Sequence, residues 1–229
     1  MRKIQVMILD KRADLGHGDV KKLLFSLSVP TITSQIVNML YNLVDRVFIG
    51  HMQPAETVGK LALTGVGVCL PIIMVISAFA SLMAIGGAPR ASIAEGAGES
   101  EKSERIMGNC LTMLVITALV LTVLFESFAE PLLLMFGASG NTIGYALDYM
   151  RIYALGTIFV QLTLGMNAYI TAQGFATVSM KTVLIGALLN TALDPLFIFV
   201  LGLGVRGAAL ATVISQAVSA VWVMTFLTG

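Results

Sequence analysis

Two carboxylates stand where charge is expensive. Asp45 lies in "YNLVDRVFIG", residues 41–50, near the end of an apolar run that begins around Phe25. Asp194 lies in "LLNTALDPLFIF", with Asn190 four residues before it and Pro195 directly after. An Asp at the centre of a membrane helix costs about 2.5–3.5 kcal/mol on insertion scales, so such a group turns toward a bundle interior or a wet cavity. Residues four apart share a helix face, which puts Asn190 one turn from Asp194. Pro195 has no N–H and frees a carbonyl on the preceding turn. Carboxylate, amide and freed carbonyl on one face make a seat for a proton or a small cation. The competing reading is that these groups only tie helices together. Asp148 and Arg151, three residues apart on one face, fit that structural reading, paired with each other.

These residues need helices that cross a bilayer to position them. The chain of 229 residues is 57% hydrophobic and 12% charged, with a mean hydropathy of +0.89. A soluble domain has about a quarter of its residues charged. Apolar stretches long enough for a hydrocarbon core of about 30 Å recur along the sequence. The expectation is an all-α, polytopic membrane protein, a bundle of six transmembrane helices. The spans fall at about 25–50, 61–86, 106–129, 143–171, 178–201 and 207–228, after a leader over residues 1–24. That leader lacks the apolar core and cleavage site of a signal peptide.

Lysine and arginine set the direction. The leader carries Arg2, Lys3, Lys11, Arg12, Lys21 and Lys22, and the second and fourth connections add Arg90, Lys102, Arg105 and Lys181. The other side has little beyond Lys60 and Arg206. The positive-inside rule then places both termini in the cytoplasm of a multi-pass protein of the cytoplasmic membrane. Spans one and five both run outward. Asp45 stands five residues before Gly50 and Asp194 eight before Gly202, so the two acids share a similar depth at 1.5 Å per residue. Matched depth favours function over simple tethering.

Other patterns carry less. "GLGVRG", residues 202–207, fits G-x-G-x-x-G letter for letter. That fingerprint needs a preceding strand in a βαβ unit, and here it joins two spans as a tight turn. Cys69 and Cys110 are isolated within apolar runs and read as small buried hydrophobes. His17 and His51 flank the first span in polar surroundings and read as solvated. Glu95, Glu99, Glu101 and Glu104, among Lys102 and Arg105, read as a solvated loop rather than a metal site. A net charge of +1 gives no basic surface for a nucleic acid. No nucleophile–base pair or metal cluster appears, so no catalytic residue and no enzyme activity are expected.

Two segments carry a family resemblance. "KLLFSLSVPTITSQIVNMLYNLVDRVFIGHM" resembles the first span of the multidrug and toxic compound extrusion (MATE) family, in its bacterial multidrug-export branch, and "NTALDPLFIF" resembles the fifth, with its N-x-x-x-D-P signature. The resemblance implies one six-helix lobe, the N-terminal one, of a twelve-helix transporter with a central cavity. It implies antiport without a cofactor: drugs and other xenobiotics, often cationic, leave in exchange for protons or sodium ions. It places Pro30 at a bend of the first span, Asp45 at the acidic position, and Asn190 and Asp194 at the fifth-span pair, with Pro195 as a second hinge. It adds Tyr149, Asn167 and Thr212 to the polar network, and a possible sodium site at Asp194, Asn190 and Thr212. The partners it implies are drug-like small molecules, the lipid bilayer, and a C-terminal lobe or a second copy of this chain. Competing expectations are export of a lipid-linked or amphiphilic metabolite, and an inert half-transporter.

Overall fold

The computed structural model describes residues 19–229; the leader up to residue 18, His17 included, lies outside the described residues. Every regular element among them is helical. The first helix, α1 (Val20–Gly50), begins where the Asp19 carboxylate accepts from the Lys21 N–H at 3.0 Å. It therefore starts inside the segment expected to be leader. A short π-helical turn, Ala55–Gly59, leads into α2 (Lys60–Val68) and α3 (Leu70–Gly96). Then come α4 (Ser100–Met135), α5 (Ile143–Leu155) and α6 (Thr157–Ala172). The chain ends with α7 (Ala176–Pro195), a second π-helical turn at Leu196–Val200, and α8 (Val205–Thr228). Five continuous helical stretches are long and apolar enough to cross a bilayer, and the bent pair α5–α6 makes a sixth.

Several helices outrun their expected ends. The segment 87–105, expected to be a connection, is helical except for residues 97–99. Its alanines explain this, since Ala88 and Ala91 pack into a core with Met166, Tyr169 and Ile170, and that burial outweighs the effect of Pro89. Helix α4 likewise passes Pro131, with a kink at Phe128 (φ −118°, ψ 19°). A proline ring crowds the carbonyls of the preceding turn, which bends rather than ends a helix packed on both sides. The fourth span is not one rod. It breaks at Gly156, and α5 and α6 meet at 57°. Thr122 on α4 donates to the Ala154 carbonyl at 2.9 Å, satisfying an acceptor at the break.

Two apolar cores sit at opposite ends of the bundle. One gathers Ile49, Ile72, Phe125, Tyr149 and Ile198; the other gathers Leu114, Met166, Tyr169, Ile170 and Val223. Between them run the polar residues of α1, α6, α7 and α8. Helix α1 packs mainly along α7, and of its 31 residues only Asp45 and Ile49 are buried.

The "GLGVRG" segment turns the chain from the second π-helical turn into α8. Gly202 and Gly204 adopt positive φ (65° and 57°), a region that costs an L-residue a clash with its Cβ. A Cβ on Gly207 would meet the backbone carbonyl of Phe197 at 2.7 Å. All three glycines thus have steric reasons, and no strand precedes them. Next to this turn, Arg206 reaches Asp148 on α5 at 2.8 Å. Asp148 therefore pairs across helices rather than with Arg151, because its position on α5 faces the start of α8. Both partners are well exposed, and exposed pairs contribute little to stability. Arg206→Gln is expected to leave the thermal midpoint of the purified chain unchanged within error, as a melting curve in detergent would show.

Candidate functional site

Helix α7 builds the centre of the site by local geometry alone. Asn190 Nδ2 donates to Asp194 Oδ1 at 3.2 Å, one turn on, and to Thr212 Oγ1 of α8 at 3.4 Å. Asp194 is fully buried and Asn190 is 1% exposed. Thr212 in turn donates to the Ala208 carbonyl at 3.1 Å, so its hydroxyl is oriented by its own helix. Pro195 ends α7, and the backbone widens at once into the π-helical turn. Such π segments cluster at functional positions; here the widening sits directly beside the buried acid.

Helix α1 brings the second acid. Asp45 is 8% exposed and interacts electrostatically with Asp194. Tyr149 on α5 completes the ring of elements. It is buried against Tyr153, with ring centroids 5.9 Å apart, and it senses both Asp45 and the Thr212 hydroxyl. Asp45, Tyr149, Asn190, Asp194 and Thr212 thus converge from four helices. Three of their oxygens, Asp45 Oδ1, Asn190 Oδ1 and Asp194 Oδ2, are buried without a hydrogen-bond partner among the described residues. Buried acceptors are rarely left so. Two carboxylate oxygens and an amide oxygen without donors have the chemistry to accept a proton or a small hard cation.

One expected member stands apart. Asn167 donates from Nδ2 to the Ser179 carbonyl at 3.3 Å, and Ser179 precedes Asn190 by eleven residues, about 16 Å of helix. Asn167 also follows Tyr149 by eighteen residues on the same bent span, too far along the bundle axis for both to meet Asp194. The structure instead contributes Tyr41, which spacing did not single out. It lies one turn before Asp45, interacts with Asn42 and Gln216, and feels both carboxylates. The signal for it was available: tyrosine four residues from the acid shares its helix face.

The remaining polar candidates resolve simply. His51 places its ring nitrogen 2.7 Å from the Val47 carbonyl, closing the last turn of α1. Glu99 pairs with Lys102 at 2.7 Å and Glu101 with Arg105 at 3.3 Å, all exposed. No group of three or more His, Cys, Asp or Glu among the described residues could hold a metal ion. Cys69 and Cys110 are free thiols, the first buried.

A model of the MatE family matches residues 30–196, the stretch that contains Pro30, Asp45, Asn190 and Asp194. The chain belongs to the MatE family. Over 210 residues it is 30% identical to the multidrug export protein MepA of Staphylococcus haemolyticus, a match covering 92% of this chain and 45% of that protein. Two crystal structures of a MATE protein superpose with a TM-score of 0.83. One is described as the straight conformation (28% identity, 92% of this chain, 45% of that chain). The other is the bent conformation (27% identity, 99% and 47%). This MatE chain spans about half the length of the curated relatives it matches, corresponding to their N-terminal lobe. The curated relatives are described as multidrug export proteins.

Proposed function

We propose that this chain is one lobe of a cation-coupled antiporter that exports drug-like, often cationic, compounds across the cytoplasmic membrane, with both termini inside. The observation that carries the proposal is the meeting of Asp45 and Asp194 in one buried, acceptor-rich cluster. In the outward-facing state the acids take up a proton, or a sodium ion ligated by Asp194, Asn190 and Thr212 oxygens. Each elementary charge moving inward supplies about 2.3 kcal/mol per 100 mV of membrane potential. Release inside resets the lobe.

Helix α1 is the moving part in this scheme. It runs unbroken through Pro30, where the Ser26 carbonyl has lost its normal partner, and it is held by few buried residues. Bending there would swing Asp45 relative to Asp194 and so tie occupancy to cavity shape. A family in which straight and bent forms crystallise supports this. Pro30→Ala is expected to lower coupled efflux several-fold while circular dichroism stays unchanged; full efflux would remove the hinge. The exposed apolar and polar residues of α1, among them Gln35, Asn42 and Met39, form a face for the other cavity wall, supplied by a C-terminal lobe or a second copy.

The test is reconstitution of the chain in vesicles with an imposed proton or sodium gradient and a fluorescent lipophilic cation as cargo. Gradient-dependent flux is expected. Its absence from folded protein would leave the inert half-transporter in place of this reading.

A further inference from the structure

The fourth span breaks beside α8, and a glycine stands at the point of contact. Gly156 has φ −82° and ψ −1°, a turn conformation open to any residue, so the backbone there does not ask for glycine. Space does. A Cβ on Gly156 would strike Val213 Cγ2 and lie 2.9 Å from Cγ1 and 3.1 Å from Cβ, inside the roughly 3.5–4.0 Å at which carbon atoms rest. Val213 cannot turn aside. Its χ1 is stiff in a helix, and its Cβ lies on the axis of that rotation.

Neither half of the span is free to back away. Before the break, the Ala154 carbonyl accepts from Thr122 of α4 at 2.9 Å. After it, the fully buried Gln161 donates from Nε2 to the Ile76 carbonyl of α3 at 2.8 Å. The two halves are tied to different helices, so crowding at Gly156 is passed on to α8. There Val213 directly follows Thr212, which accepts from Asn190 Nδ2 at 3.4 Å. That bond is already beyond the ~2.7–3.2 Å of an ordinary N–H···O pair and has no slack. Nor can α8 close on α7 to restore it. Further along α8, Ser219 donates to the Thr182 carbonyl at 3.3 Å, and a Cβ on Gly186 would meet the Ser219 hydroxyl at 2.7 Å, so the two helices already touch.

We infer that Gly156 and Val213 are positioning residues for the cation site. The room left at the break of the fourth span sets how deeply α8 seats, and with it the meeting of Thr212 and Asn190. This deepens the antiport reading and rests on it for what Thr212 ligates; the seating itself is read from geometry, without transport.

The experiment takes Gly156→Ala in the full chain and reads it two ways. In a crystal structure of the variant, the separation of Asn190 Nδ2 and Thr212 Oγ1 is expected to pass out of hydrogen-bond range. It should return when Val213→Ala is added, because the two methyls that the new Cβ meets are then gone. An unchanged separation in Gly156→Ala overturns the proposal, whether or not the chain transports. In vesicles with an imposed sodium or proton gradient, the cation concentration at half-maximal flux is expected to rise about tenfold, as the loss of one hydrogen bond would cause. The maximal rate should be kept, and Val213→Ala should reverse the rise. In a Thr212→Val background, Gly156→Ala should add nothing; a shift that persisted there would place its effect elsewhere in the lobe and remove the positioning role. If Gly156→Ala does not elute as folded protein, Val213→Ile, one methylene larger at the same contact, takes its place. A parent without flux, in which the separation still responds to Gly156→Ala, would count against the antiport reading alone.

Discussion

Asp194→Asn is expected to reduce gradient-driven efflux by at least about a hundredfold, to the level of empty vesicles, while the protein inserts and folds as before. The substitution keeps shape and keeps a partner for Asn190, which now donates to Asp194 Oδ1 at 3.2 Å. What it removes is the ionisable carboxyl group at a fully buried position. Without that group the site can neither exchange a proton nor neutralise a sodium ion, and the membrane potential has nothing to act on. Stability should move the other way. Two carboxylates in one low-dielectric cluster repel each other, and an unpaired buried charge is strained relative to a neutral isostere. The thermal midpoint of Asp194→Asn in detergent should therefore equal or exceed that of the parent. Efflux by vesicle fluorescence and a melting curve on the same preparation check both halves. Preserved efflux would remove Asp194 from the mechanism.

The second large effect is on the scaffold. Gly207→Val is expected to destabilise the chain by about 1–3 kcal/mol, the usual range for overpacking, and to lower the midpoint by several degrees. The reason is what the new side chain would strike. At Gly207 the Cβ meets Phe197 C and O, both at 2.7 Å, which are backbone atoms that cannot rotate aside. Phe197 belongs to the π-helical turn that begins right after Pro195, so the displaced backbone pulls on Asp194 as well. Gly207→Val should accordingly lose efflux beyond its loss of folded protein, whereas a substitution at Gly67, where a Cβ meets open space, should lose neither. Equal midpoints for the two variants would show that α8 and the turn can part without cost.

Much of the site was legible because it is local. Asn190 and Asp194 meet because they are one helical turn apart, and any helix over that segment brings them together. The same holds for Tyr41 and Asp45, whose four-residue spacing puts both on one face of α1. Asp45 and Asp194 were matched in depth by counting from the ends of parallel spans, and depth along the membrane normal is what length and direction do determine. Asn167, which came from the resemblance and not from counting, lies eighteen residues from Tyr149 on the bent fourth span and donates to the Ser179 carbonyl. Asp148 shows where spacing fails: an ion pair three residues apart looked sufficient, and Arg206 from α8 took the partner instead.

The sequence by itself determined an all-helical membrane lobe, its six crossings, and which polar side chains must be carried inside them. Only the tertiary structure decided which faces meet: that α1 leans its acid on α7, and that the fourth span breaks at Gly156. The physical reason lies in how membrane helices look to one another. A span that is apolar on every side has no single buried stripe to fix its rotation. Its orientation about its own axis is set by close packing of small residues and by the few hydrogen bonds that cross between helices, and those depend on partners far away in the chain.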